Sequence, residues 1–170
     1  MFLAPFLERL PLTTGARKIR WLRQERPRNC VQTVVAMAVG ASVADVEAVA
    51  RTEDTLDIPA TMTLLAHYGV FCRPISAQLV ADFWPMYYRQ GGGRRLRGLG
   101  FASPNPAHGR EVGHAYFLYG PRLYDPATGI TEALDEPHLR QLDWLVLFPE
   151  TQVDRSRGRA TNPAPRPATA

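Results

Sequence analysis

Gln24-Glu25-Arg26-Pro27-Arg28-Asn29-Cys30-Val31-Gln32-Thr33-Val34-Val35-Ala36-Met37 is the stretch whose reading decides the fold of this 170-residue chain. Val31, Val34, Val35 and Ala38 recur at i, i+3, i+4 and i+7, which predicts a helix with one buried face. Asn29 reads as its N-cap, and Gln32 stands at the spacing of a capping box. Gly40 falls where a helix C-terminus favours glycine. Cys30 then lies in the first turn, where unpaired backbone N–H groups and the positive end of the helix dipole favour a thiolate. The thiolate is the nucleophilic form of cysteine. Free cysteine is also among the most buried residue types, so taken alone Cys30 reads as an inert core thiol.

A second stretch changes that balance: Gly113-His114-Ala115-Tyr116-Phe117-Leu118-Tyr119-Gly120-Pro121-Arg122-Leu123-Tyr124-Asp125-Pro126. Ala115 to Tyr119 is aromatic and apolar and predicts a strand. Gly120-Pro121 is a turn signal, and Arg122 to Asp125 predicts the returning strand. A loop of Tyr119-Gly120 puts His114 directly opposite Asp125, and a loop of Gly120-Pro121 makes them diagonal neighbours. In both registers the side-chain period of two leaves them on one face. A carboxylate bonded to an imidazole holds its tautomer and stabilises its charged form, the third role in a catalytic triad. Asn105, in the loop before His114, is the substitute if Asp125 faces away. Gln24, six residues before Cys30, supplies an amide that could share an oxyanion with the Cys30 backbone N–H.

These pieces resemble the papain-like superfamily of thiol enzymes, and within it the bacteriocin-processing (double-glycine leader) peptidase family and its stand-alone relatives. The match rests on Gln24, Asn29-Cys30, the small apolar run Val34 to Ala38, Gly113-His114-Ala115, and Leu123-Tyr124-Asp125-Pro126-Ala127-Thr128-Gly129. It spans roughly residues 20 to 149. The resemblance implies Cys30 as nucleophile, His114 as base, Asp125 as its orienter and Gln24 as oxyanion donor. Two positions depart from the family pattern: Asn29 stands where the family has Asp, and Val31 where it usually has Gly. Members of that family are commonly fused to a membrane transporter, and no such segment is read here.

Composition is that of an ordinary globular domain. No stretch reaches the roughly 18 apolar residues of a membrane span, and Glu8 and Arg9 interrupt the apolar start, so neither a span nor a secretory signal is expected. The expected location is the cytoplasm of the producing cell, or delivery as an effector without a classical signal peptide. Cys30 and Cys72 make no disulfide framework, and Cys72 reads as a core thiol on a strand. His67, His108, His114 and His138 are scattered, so neither a metal nor any other cofactor is expected. Net charge is +5 over residues 1 to 28, −3 over 31 to 149 and +2 from Glu150 onward. Basicity therefore lies in the two ends, and without an aromatic-interleaved surface it reads as solvated charge rather than nucleic-acid binding. The expected partner is a peptide or protein substrate.

Punctuation divides the chain into a basic leading arm and helix (1–19), a catalytic domain (20–150) and a disordered Pro/Ala/Arg-rich tail (151–170). Ser42 caps a helix from Val43 to about Arg51, and Pro59 opens another that Gly69 ends. Val70 to Ile75 reads as a strand, and Ser76 to Tyr88 as a helix kinked or broken at Pro85. The run Gly91-Gly92-Gly93 lacks the Gly-Lys-Ser/Thr of a phosphate loop and reads as a turn into the strand Leu96 to Ala102. Leu142 to Phe148 is the last strand. The expected class is α+β, papain-like, with the nucleophile helix packed on an antiparallel sheet. The expected chemistry is hydrolysis of peptide or amide bonds by a Cys-His-Asp triad. A glutamine deamidase or transglutaminase-type effector on the same parts is the alternative, and an inactive binding or adaptor protein the competing class.

Overall fold

The computed structural model describes residues 19–90, 96–108, 110–131 and 133–148. The leading helix, the glycine run at 91–93 and the tail from 151 lie outside them. Three helices come first: α1 (Cys30–Val39), α2 (Val43–Ala50) and α3 (Ile58–His67). Then follow β1 (Arg73–Ser76), α4 (Ala77–Arg89), β2 (Arg97–Ala102), β3 (His114–Tyr119), β4 (Arg122–Asp125), β5 (Gly129–Thr131), α5 (Glu136–Arg140) and β6 (Trp144–Leu147). The strands form one six-stranded sheet in the order β1-β6-β2-β3-β4-β5, with every neighbouring pair antiparallel. The class expected from the sequence, α+β with the Cys30 helix on an antiparallel sheet, is the class observed.

Both faces of the sheet are covered, because its strands alternate apolar residues to the two sides. Leu99, Ala115, Phe117, Tyr124 and Val146 pack with α1, Val46 of α2 and Leu64 and Leu65 of α3. Leu118, Leu123, Leu145 and Leu147 pack with α4 and with Leu134, Leu139 and Leu142 on the other side. All ten residues of α1 are buried. The expectation of one buried face is therefore corrected: α1 is enclosed on every side, as a helix without a polar stripe must be.

Local signals account for the other boundaries. Ser42 forms a capping box with Asp45 at the start of α2. Asp57 accepts from the Ala60 N–H at 2.8 Å and caps α3, with Pro59 in the first turn. Gly69 takes the left-handed conformation after α3 (φ 75°). Pro85 sits inside α4, which continues unbroken to Arg89. Packing of Val80, Ala81, Trp84 and Tyr87 beneath the sheet offsets the lost backbone bond. β1 begins at Arg73, later than expected, and Cys72 is only partly buried rather than a core thiol. The short β5 and α5 were not expected from the sequence, although Asp135 and Pro137 supply the cap and first-turn proline of α5.

The β3–β4 hairpin turns on Gly120-Pro121, with Tyr119 opposite Arg122 and Phe117 opposite Tyr124. Gly120 has φ 59° and Pro121 follows, the glycine-first pattern of a type II′ turn. This register carries Asp125 to the level of Tyr116, one diagonal step from His114.

Candidate active site

α1 presents Cys30 as its first residue, 2% exposed. The capping box expected of Asn29 and Gln32 is absent, and no side chain caps this terminus. Asn29, 1% exposed, is turned instead into a network with α2. Its Nδ2 donates to Glu47 Oε1 at 3.2 Å, and its Oδ1 accepts from the Arg26 N–H at 3.3 Å. Arg26 also pairs with Glu47 and Glu53. Gln32 is spent on the carbonyls of Thr52 and Asp54, at 3.3 and 2.6 Å. Asn29 and the Gln32 Nε2 thus find partners on α2 and the connection after it, which pins the segment leading to Cys30, while Gln32 Oε1 is buried without a partner. The first-turn N–H groups of α1 have no side chain competing for them.

His114 opens β3, and by the pleat it shares the face of Tyr116 and Leu118, opposite to α1. Its ring reaches Cys30 because it is the first residue of the strand, beside the N-terminus of α1. Nε2 lies 2.8 Å from Asp125 Oδ1. Cys30 shares the cleft with this ring, and its hydrogen bonding and charge are among the causes that raise the His114 pKa. Asp125 is held from three directions. Besides His114, the Ala127 N–H donates to Oδ1 and the Thr128 hydroxyl to Oδ2, both at 2.7 Å. Asn105, the substitute for Asp125, instead exchanges backbone hydrogen bonds with Arg110.

Burial by itself pushes the His114 pKa down, but the hydrogen bonds and negative charge of Asp125 and Cys30 outweigh it, and the value is pushed up from 6.5 to about 9. For Asp125, burial works against ionisation, and the bonds from His114, Thr128 and Ala127 overcome it and hold the carboxyl below its ordinary value. The signs agree: the pair rests as imidazolium and carboxylate. Because the folded value for His114 lies above 6.5, its contribution to stability is complete below 6.5 and is lost as pH rises through about 9. For Asp125 the contribution is present above the ordinary carboxyl range and is lost as pH falls through its lowered value.

Gln24 is tied to this centre through its backbone, its N–H donating to the Pro126 carbonyl at 2.9 Å. Trp21 Nε1 donates to the Asp125 carbonyl at 2.8 Å, so the segment leading to Cys30 is fastened to the turn that carries the carboxylate. The Gln24 side chain lines a depression with Trp21, Arg23 and Val43, and its Oε1 is buried without a hydrogen-bond partner. The structure thus gathers Cys30, His114 and Asp125 and sets the Gln24 backbone beside them. Tyr116 was missed in the sequence. Its ring meets His114 edge-on at 4.7 Å and 83°. Its place two residues after His114 on one strand, and so on the same face, was the available signal.

Cys30 and His114 open onto a cleft of about 500 Å³ walled by residues 55–59, 101–104 and 143–144. Among the described residues no three His, Cys, Asp or Glu side chains gather as a metal site requires, and no helix is long and apolar enough to cross a membrane.

No protein-family model and no curated protein matches the sequence. Solved structures do. The peptidase domain of Streptococcus ComA, a bi-functional ABC transporter involved in a quorum sensing pathway, superposes with a TM-score of 0.57 at 17% identity, over 78% of this chain and 100% of that one. A double glycine motif protease from an AMS/PCAT transporter, solved in complex with a leader peptide, gives 0.54 at 13% identity, over 82% and 97%. The chain has the papain-like fold of the double-glycine peptidase domains. The structural likeness falls on the family to which the Gln24–Cys30 and His114–Asp125 stretches pointed.

Proposed function

We propose that this protein is a papain-like thiol hydrolase that cleaves peptide or amide bonds, with Cys30 as nucleophile, His114 as proton carrier and Asp125 as its orienter. One observation carries the reading: a partly buried imidazole bonded to Asp125 that lines one cleft with a thiol at a helix N-terminus no side chain caps. A histidine with its pKa pushed up to about 9 is protonated at neutral pH, the counter-ion a Cys30 thiolate needs. Attack on a carbonyl then requires no simultaneous proton removal. The imidazolium gives its proton to the leaving amine, and on its return as free base it activates the water that releases the acyl group. The Cys30 N–H is the oxyanion donor that helix geometry supplies. Gln24 is the second, through a rotation of its side chain toward that N–H.

The decisive experiment compares wild type with Cys30→Ala on a peptide library and on cell extract, read by mass spectrometry. New N-termini only with wild type mean peptidase, and a one-dalton amide-to-acid change means deamidase. Products identical in both samples refute the proposal.

Two outcomes follow from the geometry. Because catalysis needs the His114 proton, kcat/KM falls as pH rises through about 9, whereas the rate of Cys30 alkylation, which needs no acid, does not fall with it. A kcat/KM still climbing past that point contradicts the assignment. For Gln24→Ala, loss of one oxyanion donor slows turnover by about a hundredfold or more and hardly changes alkylation. Equal turnover in variant and wild type would assign Gln24 to structure alone.

A further inference from the structure

We infer that the cleft beside Cys30 receives a long cationic side chain, lysine or arginine, of a peptide substrate. The inference rests on the thiol-hydrolase reading and names the substrate class for the same site.

The walls of the cleft combine two chemistries. Leu56, Ile58 and Phe101 make it apolar, and Asp57 and Asp143 add two carboxylates. Among the described residues that line it there is no lysine or arginine, although the whole chain carries +4. With the His114 imidazolium in the same wall and Arg110 bonded to the Ser103 carbonyl at 2.6 Å, the two aspartates leave the lining acidic by a small margin where the protein is basic. Both carboxylates are exposed, and each is held by one backbone N–H. Asp57 has one oxygen on the Ala60 N–H at 2.8 Å, and Asp143 has one on the Ser103 N–H at 2.5 Å. The backbone of Asp143 is itself tied down, its N–H donating to the Phe101 carbonyl at 2.8 Å and its carbonyl accepting from Ala77 at 3.0 Å. Each aspartate is thus aimed by the fold and keeps its second oxygen for another partner. Next to Asp143 stands Trp144, 46% exposed in the same wall, an indole face of the kind that holds ammonium and guanidinium groups.

One occupant satisfies both chemistries. The methylene stem of a lysine or arginine covers apolar wall while its head meets carboxylate and indole. An aliphatic side chain would fill the same space but cut the two carboxylates off from water without a counter-charge, and an acidic one would be repelled. A cleft of about 500 Å³ next to the nucleophile is also far larger than a substrate of paired glycines requires.

The test uses binding, so that it does not depend on turnover. Protection of Cys30 from iodoacetamide is titrated with acetyl-Ala-Lys-Ala-amide and with its norleucine and glutamate counterparts, read by mass spectrometry. The lysine peptide is expected to protect at least tenfold more tightly than the norleucine peptide, and the glutamate peptide least. In Asp57→Asn/Asp143→Asn, which keeps one acceptor oxygen for each backbone N–H, the lysine advantage should fall to about one. Asp143→Asn alone serves if the double variant does not fold. Equal protection by all three peptides, protection by none, or an advantage that survives in the variant overturns the inference. The thiol-hydrolase reading is scored separately, by the rate at which Cys30 alkylates without peptide relative to Cys72.

Discussion

Replacing His114 with alanine is expected to reduce hydrolysis to the level of Cys30→Ala, a loss of about 10⁵-fold or more in kcat/KM, because members of a catalytic set act as a unit rather than as a sum. The double variant should be no worse than either single one. The physical reason is that the ring is bonded to Asp125 and stands in the same cleft as the Cys30 thiol. Without it Cys30 faces an apolar cleft with no counter-ion for its charged form and no acid for the leaving group. Steady-state rates on any cleaved peptide check this. A His114→Ala enzyme within tenfold of wild type would assign the proton transfers to another group.

Asp125 should give the second largest effect, and here the choice of substitution matters. Asp125→Asn keeps one carbonyl oxygen for the Ala127 N–H, and its NH₂ can donate to the Thr128 hydroxyl oxygen, but it removes the charge that keeps His114 protonated. The expected loss in kcat is about 10²- to 10⁴-fold, with the alkaline limb of the pH profile moved to lower pH. Asp125→Ala does more than stop catalysis. It strips an acceptor from those two donors at the turn into β5 and leaves His114 buried without its partner. Ala127 and Thr128 are exposed and can turn to water, so the cost falls mainly on the partly buried His114, about 1 to 3 kcal/mol, and this variant should also melt earlier. If Asp125→Asn keeps the wild-type rate and pH profile, the His114–Asp125 bond serves structure only.

Much of this was legible in the chain because its signals are local. The apolar spacing from Val31 to Ala38 marks a helix, and Gly120-Pro121 marks a hairpin. The period of a strand then carries Asp125 to the side of His114 whichever turn is used. The capping of Cys30 was misread because the Asn29 and Gln32 spacing is equally served by tertiary partners. Glu47, Thr52 and Asp54 compete for those side chains, and spacing cannot weigh a partner some 20 residues away. α1 read as amphipathic because its polar residues, Gln32 and Thr33, look like a solvent face in sequence. They are 0% exposed, with their hydrogen bonds made inside. The Trp21 and Gln24 bonds to the Asp125–Pro126 turn, and a cleft assembled from three separate stretches, depend on long-range packing that no local pattern encodes.

The most direct test of the central claim is selective alkylation of the folded protein with iodoacetamide at pH 6, quantified by mass spectrometry at Cys30 and Cys72. Cys72 is an internal standard, because burial pushes its thiol pKa up and no charged partner offsets it. If Cys30 works as a thiolate paired with His114, it should label many times faster than Cys72 and than a free thiol in solution, and His114→Ala should abolish that advantage. A Cys30 that labels no faster than the free thiol, or one whose rate is untouched by His114→Ala, would contradict the account.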